Sequence, residues 1–288
     1  MQNIINTQTE VGVTLVLGGT GKTGRRIVSQ LKDKGLEVRV GSRSGDPKFL
    51  WEDQSTWGPV LENVKSVYIA FYPDLAVPGA TDAIKAFSEL AVKSGVTHLV
   101  LLSGRGEEEA QRCEEIVKNS GADWTIVRTS WFAQNFSEAF MRDMVLEGTL
   151  ALPVGGVKEP FIDADDIADV AVAALTEEGH KGELYELTGP RLMTFSEAVE
   201  QISAATGLKV QFIDIPNEAF MSAMKAQGVP EDYVWLVNYL FTEVLDGRNE
   251  YVCDGVERAL GRKARDFSEY AMNAAAQGAW NIEEVANG

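Results

Sequence analysis

The segment VTLVLGGTGKTG at positions 13–24 is the most informative part of the chain about its fold class. Its first five residues, Val13 to Leu17, form a short apolar run, which predicts a buried strand. Glycines at positions 18, 19, 21 and 24 follow, and from Lys22 the apolar residues recur at helical spacing as far as Gly35. The stretch therefore predicts a strand, a tight glycine turn and a helix in direct succession.

The glycine turn contains GxGxxG at positions 19, 21 and 24 and GxxGxxG at positions 18, 21 and 24. Glycine makes such a turn tight, lets the backbone approach a pyrophosphate and lets the helix pack closely on the strand, while the helix N-terminus attracts phosphate. The triphosphate-binding loop GxxxxGK[ST] would need glycine where this chain has Val16. The turn therefore predicts a dinucleotide site, and its expected ligands are Gly18, Gly19, Thr20, Gly21, Lys22, Thr23 and Gly24.

The residues after the second predicted strand indicate which dinucleotide is bound. NAD-binding proteins usually place an acidic residue about 20 positions after the glycine turn, against the ribose 2′-hydroxyl. This chain has Gly-Ser-Arg-Ser at 41–44 and no carboxylate there. Because a guanidinium with flanking hydroxyls suits a 2′-phosphate, Ser42, Arg43 and Ser44 predict a preference for NADP(H). The alternative is that Arg43 is a solvated loop residue.

Strand and helix patterns alternate through the first half of the chain, which predicts an α/β fold with a parallel, doubly wound sheet of the Rossmann type. The predicted later strands lie at 37–41, 66–70, 98–103 and 123–128, with helices near 79–94 and 107–120. We expect an NADP-binding domain over residues 1–155, with the segment around 160–188 packing back onto it.

The rest of the chain follows a looser pattern. A short strand is predicted at 161–163, and Asp163, Asp165 and Asp166 are expected to cap the following helix rather than to act as catalytic acids. Thr194-Phe-Ser-Glu197 has the form of a capping box that opens another helix. Residues 189–288 are therefore expected to form a smaller, mainly helical substrate-binding subdomain.

Charge is distributed unevenly along the chain. Of the 288 residues, 43 are acidic and 26 are basic, so the net charge is −17, yet residues 21–48 carry eight cations and three anions. An acidic protein disfavours nucleic acid as a partner, and the basic segment coincides with the predicted cofactor loops. The acidic remainder favours a neutral or cationic small molecule as substrate.

Cysteine, histidine and hydropathy patterns bear on location and metal content. The two cysteines and the two histidines match no disulfide or zinc spacing, and no apolar run approaches the ~20 residues that a membrane span needs. The first ten residues lack the basic and apolar regions of a secretory signal. We therefore expect a cytoplasmic monomer or homodimer that holds no metal and binds no membrane.

Five segments, in the same order, resemble the NmrA-like atypical short-chain dehydrogenases/reductases. They are VLGGTGKTG at 16–24, VRVGSRS at 38–44, GADWTIVRTSWFAQNF at 121–136, FIDADDIADVAVAAL at 161–175 and YELTGPRLMTFSEA at 185–198. Within this family, the segment RTSWFAQNF at 128–136 looks especially like the ergot-alkaloid festuclavine and agroclavine dehydrogenases and their bacterial relatives. The resemblance implies an NADP-dependent oxidoreductase.

The resemblance also implies which side chains form the site. Mainstream short-chain dehydrogenases use a Ser with a YxxxK pair, but no tyrosine here is followed by Lys four residues later; Ser103 stands where the Ser would be. By resemblance, Trp131, Phe132, Asn135 and Phe136 line the nicotinamide and substrate cleft, and Tyr72 flanks the nicotinamide ring. The candidate catalytic residues are Asn135, Trp131, Ser103 and Tyr72, and Phe132 is a candidate cofactor ligand. Core packing is the alternative for Trp131 and Phe132.

Two functions from different classes fit a chain without the YxxxK pair. The first is an NADPH-dependent reductase that transfers hydride to a small iminium, enone or quinone, a carbon already electrophilic enough to need little proton donation. The second is a redox-sensing regulator that binds NADP(H) without turnover. The apolar segment at 131–136 favours the reductase, and the missing tyrosine disfavours a sugar epimerase.

Overall fold

The structure, a computed structural model, describes residues 12–281. The first ten residues, on which the expectation about a secretory signal depends, lie outside this range. The strands are β1 Val13–Leu17, β2 Val38–Gly41, β3 Val64–Ile69, β4 His98–Gly104, β5 Asp123–Thr129, β6 Thr149–Leu152, β7 Lys158–Glu159, β8 Glu183–Leu187, β9 Met193–Thr194 and β10 Gln211–Asp214. The helices are α1 Lys22–Asp33, α2 Trp57–Val60, α3 Ala80–Lys93, α4 Glu108–Lys118, α5 Asn135–Glu138, α6 Phe140–Leu146, α7 Ala164–Thr176, α8 Phe195–Thr206, α9 Asn217–Ala226, α10 Glu231–Tyr239, α11 Gly255–Leu260 and α12 Phe267–Ala276, with a π-helical turn at Leu240–Val244.

Six of the described strands form one parallel sheet in the order β2-β1-β3-β4-β5-β8. Strand β1 is flanked on both sides, since Leu15 aligns with Arg39 of β2 and with Val67 of β3. All five residues of β1 are buried, as expected for a strand whose two faces are both covered. The predicted α/β fold with a Rossmann-type parallel sheet is therefore confirmed.

The chain divides into two compact units. The first contains the described residues up to Leu102 together with 112–126 and 171–184, and the second contains 103–111, 127–170 and the described residues from Tyr185 onward. In the first unit, Ile27 and Leu31 of α1 and Ile84 and Phe87 of α3 are fully buried. These helices follow the 3.6-residue period that the sequence indicates.

The second unit contains a helical C-terminal region, which confirms the prediction for that part of the fold. Helix α8 begins with the predicted capping box: Thr194 Oγ1 accepts from the Glu197 N–H at 3.1 Å, and Glu197 Oε2 accepts from the Thr194 N–H at 2.7 Å. Around α8, Phe136, Phe161 and Phe267 pack with Phe195 in one aromatic core, with ring centroids 5.1 to 5.9 Å apart.

One strand prediction was wrong, and one pairing was not predicted. The segment 161–163 forms only a single bridge, in which Ile162 exchanges hydrogen bonds with the backbone of Trp131 and Ala133. It extends no further because Pro160 precedes it and Asp163 already caps α7: the Asp163 carboxylate accepts from the Asp165 N–H at 2.9 Å. Strands β6 and β10 pair in parallel, although each has only four residues and β10 is mostly exposed, so neither sequence carries a strong strand signal.

The helices between residues 12 and 281 include none that is long and apolar enough to cross a bilayer.

Candidate functional site

The glycine turn of the first unit is shaped by backbone contacts that a side chain would obstruct. The Gly21 N–H donates to the Gly18 carbonyl at 2.8 Å, and Gly18 has a φ of 65°, where glycine is favoured. A Cβ on Gly24 would overlap the Gly18 carbonyl oxygen and would lie 2.7 Å from the Gly19 Cα. A Cβ on Gly19 would lie 2.9 Å from Val40 Cγ1. The structure therefore contains the tight turn and the close helix packing that the glycines predict.

Helix α1 begins at Lys22, immediately after this turn, and carries no acidic residue in its first turn. The first amides of a helix have no intrahelical partner and lie at the positive end of the helix dipole, so they suit an anion. Thr20 and Gly21 are exposed beside these amides. Thr23 differs, because its buried hydroxyl accepts a hydrogen bond from Tyr68 at 2.9 Å. Its side chain is used within the fold, which leaves its backbone amide for a ligand.

The turn after β2 lies next to the glycine turn. The Gly18 N–H donates to the Gly41 carbonyl at 3.0 Å, so Ser42 to Ser44 follow directly beside Gly18. The Ser42 carbonyl accepts from the amides of Gly45 and Phe49, which closes the turn. Arg43 and Ser44 are exposed. The predicted 2′-phosphate ligands and the predicted pyrophosphate ligands therefore lie together in the first unit.

Tyr72 follows β3 in the same unit and lies beside Arg43. The Arg43 guanidinium carbon is 5.4 Å from the centroid of the Tyr72 ring, and 65% of Tyr72 is exposed to solvent. Within residues 12–281 no carboxylate lies within 4 Å of the Arg43 guanidinium. Arg43 is therefore a cation held by an aromatic ring and open to an anionic ligand.

In the second unit, the predicted substrate residues lie in one turn after β5. Trp131 packs on Phe195 and Phe241, with ring centroids 6.2 and 5.8 Å away, and is only partly buried. Its indole nitrogen is buried and has no hydrogen-bond partner among the described residues. Asn135 opens α5, and its N–H donates to the Phe132 carbonyl at 3.1 Å. Trp131 thus belongs to the edge of the aromatic core, while Asn135 and Phe132 remain partly accessible. The predicted place of Phe136 in the cleft is wrong, because its ring is fully buried among Phe161, Phe195 and Phe267.

Ser103 and the acidic cluster at 163–166 make hydrogen bonds and ion pairs that belong to the fold. Ser103 is 3% exposed, and its carbonyl accepts from the Thr129 hydroxyl. Asp163 caps α7 and accepts from the Gln134 side chain at 2.7 Å, and burial raises its pKa. Asp166 is fully buried and is paired with arginines 262 and 265. The interpretation of these acids as cap and first-turn residues is confirmed.

The second unit also contains a cluster that the sequence analysis missed, centred on Arg105. This residue follows β4, is 2% exposed, and donates through Nε to Glu186 Oε1 at 2.7 Å. The Tyr251 ring lies 4.2 Å from its guanidinium carbon, and the Tyr251 hydroxyl donates to the same carboxylate at 2.9 Å. Although burial disfavours charge on Glu186, the hydrogen bonds from Arg105 and Tyr251 lower its pKa. No local motif marks this cluster, because Arg105 and Tyr251 are 146 positions apart in the sequence.

Glu159 lies near this cluster and next to a predicted substrate residue. It is 2% exposed and accepts a hydrogen bond from the Trp131 backbone. Burial raises the pKa of Glu159 to about 8, although the charge of Arg105 and the Trp131 amide oppose the shift. The Glu159 carboxyl group is therefore mostly protonated at neutral pH, so it carries little negative charge next to the Trp131 backbone.

Comparisons with known proteins agree with this architecture. The family model described as NAD(P)H-binding matches residues 18–178, more than half of the chain. The chain is 32% identical to an oxidoreductase, YesF, of Bacillus subtilis and 30% identical to an NAD(P)H azoreductase of Xenophilus azovorans; the alignments cover 91% and 92% of this chain and 95% and 99% of those proteins. An agroclavine dehydrogenase of Claviceps fusiformis is 29% identical, with coverage of 90% and 96%.

A solved structure shows the same fold. An NADPH-dependent quinone oxidoreductase from Escherichia coli, complexed with NADPH, superposes with a TM-score of 0.76 over 90% of this chain and 99% of that one, at 17% identity. With the glycine turn and the parallel sheet, these matches lead to one assignment. The chain belongs to the NAD(P)H-binding, NmrA-like family of atypical short-chain dehydrogenases/reductases, and it is an oxidoreductase of that family.

Proposed function

We propose that this protein is an NADPH-dependent reductase that transfers hydride to a small electrophile of the iminium, enone or quinone type. The observation that carries the cofactor preference is the exposed Arg43 guanidinium beside the glycine turn, with no carboxylate within 4 Å in the described part of the chain. A guanidinium offers a fork of donors to phosphate, and an acidic residue that would repel a 2′-phosphate is missing from the end of β2.

The residues of the first unit fit a dinucleotide. The backbone packs so closely around Gly24 and Gly19 that a Cβ at either position would clash, and this tight turn presents the first amides of α1 as donors to a pyrophosphate. In this assignment Gly18 to Gly24 hold the pyrophosphate, and Ser42 to Ser44 hold the 2′-phosphate. NADPH, when bound, supplies the hydride.

Hydride transfer to such a substrate requires little proton donation from the protein. An iminium, an enone or a quinone already has an electrophilic carbon, so the absence of a YxxxK pair is compatible with turnover. We assign substrate binding to the C-terminal region, whose described part is 189–281, and to the turn after β5. There Trp131 and Phe132 orient a flat substrate and exclude water, and the Asn135 amide holds a polar group of the substrate or the nicotinamide carboxamide. Ser103 is assigned a minor polar role.

Relatives support this substrate class. The NAD(P)H azoreductase and the agroclavine dehydrogenase are each similar to this chain over nine tenths of its length, and their names describe redox enzymes that act on an azo group and on agroclavine. The net charge of −17 also favours neutral or cationic substrates over anionic ones.

The test follows NADPH oxidation by absorbance against a panel of quinones, enones and cyclic iminiums, alongside binding of NADPH and NADH. We expect turnover of at least one class, tighter binding of NADPH than of NADH, and a loss of about tenfold or more in NADPH affinity for Arg43→Ala, because charge-assisted bonds to the phosphate are lost. Tight NADPH binding without oxidation across the panel would favour a redox-sensing regulator. Equal affinities for the two cofactors would contradict the assigned role of Arg43.

A further inference from the structure

The contact between Arg43 and Tyr72 joins two loops of the first unit at the exposed end of the predicted cofactor site. The two residues are 29 positions apart and follow different strands, β2 and β3, which both pair with β1. The guanidinium carbon lies 5.4 Å from the Tyr72 ring centroid, within the range of a cation–π interaction. A tyrosine that is 65% exposed makes little contribution to the core, so this contact is its most specific interaction in the structure.

An aromatic cluster anchors both loops. Phe49 and Trp51, which follow Arg43, pack against each other with ring centroids 5.0 Å apart. Trp51 also contacts Phe71, the residue before Tyr72, at 4.7 Å. The Phe49 amide donates to the Ser42 carbonyl, which ties the turn that carries Arg43 to this cluster. The pair is therefore held from both sides by packed side chains, so Arg43 requires less ordering when an anion binds.

The chemistry of the pair favours phosphate. An aromatic face attracts a guanidinium but does not use up its in-plane N–H donors, which remain available for a phosphate oxygen. A carboxylate partner would neutralise the cation, but none lies within 4 Å among residues 12–281. The two cofactors differ at the adenosine ribose, where NADPH has a 2′-phosphate and NADH a hydroxyl. A residue that positions Arg43 therefore affects NADPH and leaves NADH largely unchanged.

We propose that Tyr72 is a specificity-determining residue for NADPH, which acts by positioning the Arg43 guanidinium for the 2′-phosphate. This inference rests on the proposed NADPH preference and deepens it. It also moves Tyr72 from the nicotinamide ring, where the family resemblance places it, to the adenosine end of the cofactor. Tyr72 is thus a positioning residue and not a catalytic one.

The test measures dissociation constants for NADPH, NADH and 2′,5′-ADP, which carries the 2′-phosphate but no nicotinamide. Tyr72→Ala should weaken NADPH and 2′,5′-ADP by about two- to fivefold, the range of an exposed cation–π contact, and leave NADH unchanged. Tyr72→Phe keeps the ring and should behave as the wild type. In an Arg43→Ala background, Tyr72→Ala should have no additional effect, since the positioned group is gone. Because Tyr72 is exposed, these variants should fold normally.

The outcomes separate this inference from the proposed function. If the wild type prefers NADPH and Tyr72→Ala keeps the full preference, the role of Tyr72 is refuted and the role of Arg43 stands. If Tyr72→Ala weakens NADPH and NADH equally, or lowers kcat with unchanged binding of 2′,5′-ADP, the ring serves the shared part of the cofactor, which also refutes the inference. A wild type that binds NADPH and NADH equally refutes the cofactor preference and this inference together.

Discussion

Replacing Glu159 by Gln tests whether the buried carboxyl group next to the Trp131 backbone is protonated at neutral pH. Glu159 is 2% exposed, and burial raises its pKa from the ordinary value of 4.5 to about 8. The side chain accepts from the Trp131 backbone amide, and the carbonyl oxygen of a glutamine side chain at this position can accept the same bond. The substitution therefore keeps the size and one hydrogen bond of the side chain and removes its titration.

The direction and size of the effect follow from the two pKa values. Between pH 4.5 and about 8 the native state holds a proton that the unfolded state has released, so the free energy of unfolding falls as the pH rises through this range. The pKa of Glu159 in the native state lies about 3.5 pH units above its ordinary value. At about 1.4 kcal/mol per pH unit, the free energy of unfolding can fall by at most about 5 kcal/mol across this range. Glu159→Gln should therefore gain stability relative to the wild type as the pH rises from 4.5 to 8.5, by up to that amount.

The assay is urea unfolding followed by circular dichroism between pH 4.5 and 9. Glu177→Gln, which removes the carboxyl group of an exposed glutamate directly after α7, is the matched control. The decisive quantity is the difference in unfolding free energy between the wild type and each variant as a function of pH. If this difference changes with pH no more for Glu159→Gln than for the control, the Glu159 carboxyl group is already ionised in the native state. That result would refute the raised pKa of Glu159.

Three further substitutions test other parts of the structure. Gly24→Ala should abolish NADPH binding and lower the Tm, because its Cβ would overlap the Gly18 carbonyl. Gly156→Ala, at an exposed position with open space around it, should change neither; normal binding by Gly24→Ala would contradict the packing argument. Asp166→Asn should lower the free energy of urea unfolding by about 1–3 kcal/mol, because Arg262 and Arg265 lose a buried carboxylate but keep Asp169 as a partner, and a loss below about 0.5 kcal/mol would refute this. Asn135→Ala should lower kcat/KM for the best substrate of the NADPH oxidation panel more than Ser103→Ala; the reverse order would contradict the mechanism.

Local features of the structure were largely predictable. The glycine turn, the start of α1 at Lys22 and the capping box at 194–197 are confirmed, because each depends on residues within a few positions of one another. Such signals are set by backbone geometry, by the lack of a Cβ and by short-range hydrogen bonds. The family followed from several such segments occurring in a set order along the chain.

Short pairings between distant segments were less predictable. The segment 161–163 has the composition of a strand, but it forms one bridge because its length is limited by Pro160 and by the cap of α7. Strand β6 pairs with β10 about 60 residues later, and neither strand is long or strongly apolar. A strand of four residues is stabilised by its partner rather than by its own sequence.

The strand–turn–helix of the cofactor loop, the alternation that builds the parallel sheet, and a cation at position 43 where an NAD-binding protein usually has an acid can all be read from residues close together in the chain. Which side chains contact that cation, and which carboxyl groups carry charge, depends on the folded arrangement. Arg105 contacts Tyr251, 146 positions away, and Glu159 retains its proton because it is buried. Ionisation depends on the solvent and charges around a group, and these are set by how distant segments pack and not by neighbours in the chain.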